Sequence, residues 1–181
     1  MIDISCAFTG HRPQKYPWGY DESATGCVKL KQVLAAQIVL LADTGITDFL
    51  SGMAQGADTW AALAVLAMRG KNPALKLHCV LPCEGQADRW TDSARELYRS
   101  ILAQADSVVY VSRDYHDGCM LKRDRYLTDH AGTLLAVYNG ERRGGTAATV
   151  RYARQNGRKL IVIDPISLQV SVPQNQAGGS F

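Results

Sequence analysis

No apolar run in this chain of 181 residues reaches the roughly 18–20 residues that a membrane span needs. The longest, residues 33–42, is interrupted by Gln37 and reads as a core helix. The N-terminus, Met1-Ile2-Asp3-Ile4, has neither the basic start nor the long apolar segment of a signal peptide. These absences lead to the expectation of a cytoplasmic protein with no membrane partner. The five cysteines make no even, regular framework and are expected as thiols. Cys79 and Cys83 are spaced like metal ligands, but no second close pair or His-x-x-x-His accompanies them, so no metal is expected. Also missing are the Gly-x-Gly-x-x-Gly dinucleotide fingerprint, the P-loop ending in Gly-Lys-Ser/Thr, and a Gly-x-Ser-x-Gly nucleophile turn. The net charge is only +3, and no basic stripe with interleaved aromatics is present. Nucleic acid is therefore not an expected partner.

What is present is a regular alternation of short apolar runs with amphipathic stretches. Strands are predicted at residues 2–9, 48–51, 76–81, 107–111, 133–138 and 159–163. Helices are predicted at residues 23–44, 56–69, 92–104, 121–130 and 146–156, the second with Trp60, Leu63 and Ala67 on one face. This order predicts an α/β protein, a three-layer Rossmann-like parallel sheet with helices on both faces. Residues 1–166 read as a single domain and residues 167–181 as a flexible C-terminal tail. In such folds ligands sit at the C-terminal ends of the strands, where strand order reverses.

The turns at those ends hold the unusual residues. Ser51-Gly52-Met53-Ala54-Gln55-Gly56-Ala57-Asp58 follows an apolar pair and opens a helix, the arrangement that makes an anion pocket. Asp58 would accept bonds from ribose hydroxyls, or simply favour the helix dipole. Thr9-Gly10-His11-Arg12 offers a tight turn, a hydroxyl, an imidazole and a guanidinium. Gly144-Gly145-Thr146, with Asn139 and Gly140, is a second glycine-rich helix start. Glu84, Gln86 and Trp90 follow the third strand and could contact a base or sugar, although Trp90 also suits a core anchor. Arg123 and Arg125 diverge by about 200° on a helix, so one of them belongs on the surface.

Taken in order, Thr9-Gly10-His11-Arg12-Pro13, Ser51-Gly52-x-x-x-Gly56-Ala57-Asp58, Arg123-x-Arg125-Tyr126 and Gly144-Gly145-Thr146 resemble the SLOG superfamily, most closely its YpsA-type bacterial proteins. The superfamily joins the DNA-processing protein DprA with the Lonely Guy phosphoribohydrolases. The resemblance implies a Rossmann-like fold and a nucleotide-derived ligand such as NAD, ADP-ribose or a nucleotide, bound for sensing or regulation. The implied ligand set is Thr9, Gly10, His11, Arg12, Ser51, Gly52, Gly56, Asp58, Arg123, Asn139, Gly140, Gly144, Gly145 and Thr146. The Lonely Guy enzymes carry a lysine after the helix arginine and two glutamates at the later glycine turn. Here Asp124 replaces the lysine, and Ala148 and Thr149 fall where the glutamates would be. The alternatives are thus an N-glycosidase using Asp58 or Glu84 with Arg123, or an interaction module with a vestigial pocket. Exposed apolar helix faces would favour a homodimer.

Overall fold

Alternate residues of the central strands are apolar on both sides, and this decides the layering. The computed structural model describes residues 2–173. Its elements run β1 (Ser5–Gly10), α1 (Thr25–Asp43), β2 (Asp48–Ser51), α2 (Ala57–Arg69), β3 (Lys76–Leu81), α3 (Asp92–Gln104), β4 (Ser107–Tyr110), α4 (Cys119–Asp129), β5 (Thr133–Val137), α5 (Gly145–Gln155), β6 (Lys159–Ile163) and β7 (Val170–Ser171). Successive side chains of a strand point to opposite faces. Phe8, Phe49, Leu77 and Leu135 therefore meet Leu30, Leu34 and Ile38 of α1 and the inner residues of α2 and α3. Their neighbours Ala7, Leu50 and Leu134 face the other way, toward Leu127 of α4 and Val150 and Ala153 of α5. Each fully buried Leu or Ile in these layers contributes about 1.5–3 kcal/mol.

The seven strands are ordered β4-β3-β2-β1-β5-β6-β7. All neighbours are parallel except β6 and β7. The chain moves outward from β1 to β4, then returns through α4 to β5 on the other side of β1. The order therefore reverses between β1 and β5, and the expected Rossmann-like fold is what the chain forms.

Several local expectations are corrected. Residues 2–4 make a 3-10 turn, so β1 begins at Ser5. The buried face of α2 is Ala57, Ala61 and Val65 with Trp60 and Ala62, whereas Leu63 is 37% exposed and Ala67 is exposed. Taken whole, α1 is long and apolar enough to cross a membrane, with a mean hydropathy of 1.4. Its buried stripe of Cys27, Leu30, Leu34, Ile38 and Leu41 packs on the sheet instead. Finally, the proposed tail contributes to the fold: β7 pairs with β6 through Val162↔Ser171 and Ile163↔Val170, and Leu168 packs against the core. The rest of that tail, residues 174–181, lies outside the described residues.

Candidate functional site

The turn from β2 into α2 is built by its own side chains. Ser51 Oγ donates to Asp58 O at 3.0 Å and accepts the Met53 amide at 3.1 Å. Asp58 Oδ2 accepts the Ala54 amide at 3.3 Å, and Thr59 Oγ1 donates to Ala54 O at 2.7 Å. Gly56 has φ 95° and ψ −129°, a conformation that favours glycine, and a β-carbon there would sit 3.0 Å from His11 O. No side chain caps α2, so its first amides point into the space beyond Gly56.

Behind this turn lies a buried charged group. Arg123 is only 4% exposed and donates through Nη1 to Gly52 O and through Nε to Asp124 Oδ1 at 2.7 Å. A β-carbon on Gly52 would fall 2.3 Å from that Nη1, so the glycine makes room for the guanidinium. Asp124 Oδ2 in turn accepts from Thr149 Oγ1 at 3.3 Å. Asp58, 6% exposed, is lifted from 3.8 to about 6. Burial is the main cause; Arg123 pulls it down and Asp124 pushes it up. Arg125 faces outward over the Tyr152 ring at 5.5 Å, as the helix geometry requires.

At the point where strand order reverses, the loops after β1 and β5 bond to each other. His11 Nε2 lies 3.0 Å from Asn139 Oδ1 and 3.3 Å from the Asn139 amide. His11 Nδ1 is 3.6 Å from Glu141, which also pairs with Lys15 at 3.3 Å. Burial lowers the His11 pKa, against the opposite pull of Asn139 and Glu141, and so favours the neutral ring.

A cleft of about 730 Å³ opens over the C-terminal ends of β1, β2 and β3. Arg12, Gln55 and Gly56 form one side, and Gln86, Arg89 and Trp90 form another. Trp90 stands edge-on to Tyr98 with ring centroids 5.2 Å apart. Gln86 is fixed by donating to Gly52 O at 3.0 Å. Glu22, the acidic residue on the wall, accepts from Trp60 Nε1 at 2.9 Å and pairs with Lys31.

The family profile described as the YspA SLOG family matches residues 6–168 of this chain. The chain belongs to that family. Among its relatives is a UPF0398 protein of Bacillus pumilus (strain SAFR-032), 32% identical over 150 residues, which span 81% of this chain and 80% of the relative. The fold is similar to DprA from Streptococcus pneumoniae at TM-score 0.58 and 17% identity, covering 90% of this chain. It is also similar to DprA from Helicobacter pylori, a structure described for its single-stranded DNA binding mode, at TM-score 0.59 and 20% identity, covering 87% of this chain. The chain spans 53% of the first DprA and 64% of the second.

Within this SLOG fold only some of the expected site residues reach the cleft. Arg12 and Gly56 line the cleft. Ser51, Gly52, Asp58 and Arg123 lie beneath it and hold its floor; Thr9 and Gly10 sit at the end of β1, where a β-carbon on Gly10 would come 2.4 Å from that of Ala57. His11 and Asn139 join at the reversal point, with Glu141, which was not among the expected residues, beside them. Gly140, Gly144 and Gly145 are exposed and Thr146 half-exposed, and none of them lines the cleft. Glu84 is also exposed and off the cleft. The sequence reading missed Glu22, Arg89 and Thr91. Trp90 does both things expected of it: it is half-exposed on the cleft wall and packs against the core. Arg89 could have been found from its place after β3, beside Gln86 and Trp90; Glu22 sits in a loop with no periodic signal. Among the described residues, no three of His, Cys, Asp or Glu gather as metal ligands.

Proposed function

We propose that the cleft binds a nucleotide-derived small molecule of the NAD, ADP-ribose or nucleotide class, and that the protein acts as a sensor or regulator. One observation carries this reading. The uncapped N-terminus of α2 and the guanidinium of Arg12 share a cleft with an aromatic wall, Trp90 against Tyr98. Helix amides and arginine suit phosphate, and an aromatic face suits a base. The volume lies in the range of small-molecule sites. SLOG family membership favours the same ligand class.

A panel of NAD, ADP-ribose, mononucleotides and an oligothymidylate should separate the readings by thermal shift, since a ligand of the native state raises Tm by mass action. A small-molecule site gives a shift with at least one nucleotide at millimolar concentration, reduced in Arg12→Ala and Trp90→Ala. Shifts with the oligothymidylate alone would replace this reading with single-stranded nucleic acid binding. No shift from any member would end both. The N-glycosidase alternative now rests on Glu22, the carboxylate on the cleft wall. It predicts free base released from AMP or NAD and lost in Glu22→Gln.

A further inference from the structure

At the other edge of the sheet, near the N-terminal ends of the strands, three side chains from three adjacent strands form a hydrogen-bonded chain. Asp48 opens β2 and Ser107 opens β4. His78 lies between them on β3, opposite Leu50 on one side and Ser107 on the other. His78 Nε2 is 2.8 Å from Asp48 Oδ1, and His78 Nδ1 is 2.7 Å from Ser107 Oγ. Thr47 Oγ1 donates to the second Asp48 oxygen at 2.7 Å, which fixes the carboxylate plane. The three residues border a groove of about 190 Å³ whose floor includes Leu50, Val80 and Val109 and whose rim includes Tyr126 and His130.

The proton positions follow from the partners. Burial pushes the Asp48 carboxyl up, but hydrogen bonds from Thr47 and His78 outweigh it and hold the group below its ordinary value. Ionised Asp48 can only accept, so Nε2 of His78 carries the hydrogen. In the neutral ring Nδ1 is then bare, and it accepts from the Ser107 hydroxyl. A base aimed at a hydroxyl and oriented by a carboxylate is the arrangement that activates a serine nucleophile.

We propose that Ser107, His78 and Asp48 form a nucleophilic site for small carboxylic esters, distinct from the cleft. Ser107 Oγ bonds to the ester carbonyl carbon while its proton passes to His78 Nδ1. The carbon–oxygen bond to the leaving alcohol then breaks, and that alcohol departs with the proton from His78. Water, deprotonated by the same nitrogen, releases the acid and restores Ser107. Asp48 is a positioning residue that accepts from Nε2 throughout. Among the described residues β4 ends the sheet, so alternate amides of this strand face no described neighbouring strand and could serve the developing oxyanion. The small, apolar-floored groove selects short acyl groups.

The test uses the full chain with a fluorophosphonate probe and with p-nitrophenyl acetate. Mass spectrometry should place one phosphonyl adduct on Ser107. Ester turnover should fall about 100-fold or more in Ser107→Ala and His78→Gln. In Asp48→Asn, kcat should fall with KM nearly unchanged, and the pH profile should move, which a strand-stitching role would not produce. Far-UV circular dichroism checks that each variant is folded. A wild-type protein that takes no adduct on Ser107, or a folded His78→Gln that labels at the wild-type rate, overturns the proposal. Either result leaves the cleft reading untouched, because the two sites share no residue.

Discussion

Burial lifts the Asp58 carboxyl from 3.8 to about 6, and the nearby Arg123 guanidinium offsets only part of that. A carboxyl raised in the folded state binds its proton more tightly there than in the unfolded chain. Its contribution therefore favours folding in acid and is lost as pH climbs from about 4 to 6. At about 1.36 kcal/mol per pH unit, ionised Asp58 costs the fold on the order of 3 kcal/mol at neutral pH. Asp58→Asn keeps an oxygen for the Ala54 amide and removes the charge. The variant should gain stability over wild type at pH 7 and show little difference at pH 3.5, measured by urea unfolding at the two values. Equal differences at both would mean that Asp58 is not held this way. Asp48 and Asp164 are held below their ordinary values and act in the opposite direction, so the difference between the two proteins is the informative quantity.

Among the elements, α3 carries the clearest local signal. Thr91 Oγ1 accepts the Ala94 amide at 3.3 Å and caps the helix, and the same residue lines the cleft. Thr91→Ala should cost about 1 kcal/mol in unfolding free energy. Thr91→Ser should recover most of it, which separates the cap from the lost methyl group. β3, α3 and β6 could be read from the chain to the residue, because Pro82, Asp92 and Gly157 mark where regular bonding stops or starts. The glycine turns were equally legible, since backbone conformations such as that of Gly56 suit few other residues. What those turns do with their side chains was not. Whether Ser51 and Asp58 face a ligand or each other depends on the dihedrals of the six residues between them. The Asp48–His78–Ser107 chain was hidden for a different reason. Residues 30 and 29 apart meet only once strand register is set.

For the whole molecule, the short β7 ribbon closes one end of the sheet that the sequence reading left open. Without it β6 would present a bare parallel edge with Leu160, Ile161 and Ile163 in the layers behind it. A chain ending at Ile166 should lose about 1–2 kcal/mol from Leu168 packing and strand pairing. That corresponds to a Tm lower by roughly 2–8 °C. A chain ending at Pro173 keeps every described contact of β7 and is the reference against which that loss is read. If both truncations melt alike, β7 contributes nothing.

Gly10 and Ala57 meet where β1 passes beneath the start of α2, and the space there admits one β-carbon, not two. In evolutionary terms the two positions are a single choice. A lineage that places alanine at position 10 must first, or at once, give up the alanine at 57. Gly10→Ala should be poorly tolerated alone and should be partly rescued by Ala57→Gly, a compensating pair that a double-mutant cycle in unfolding free energy would register as coupling.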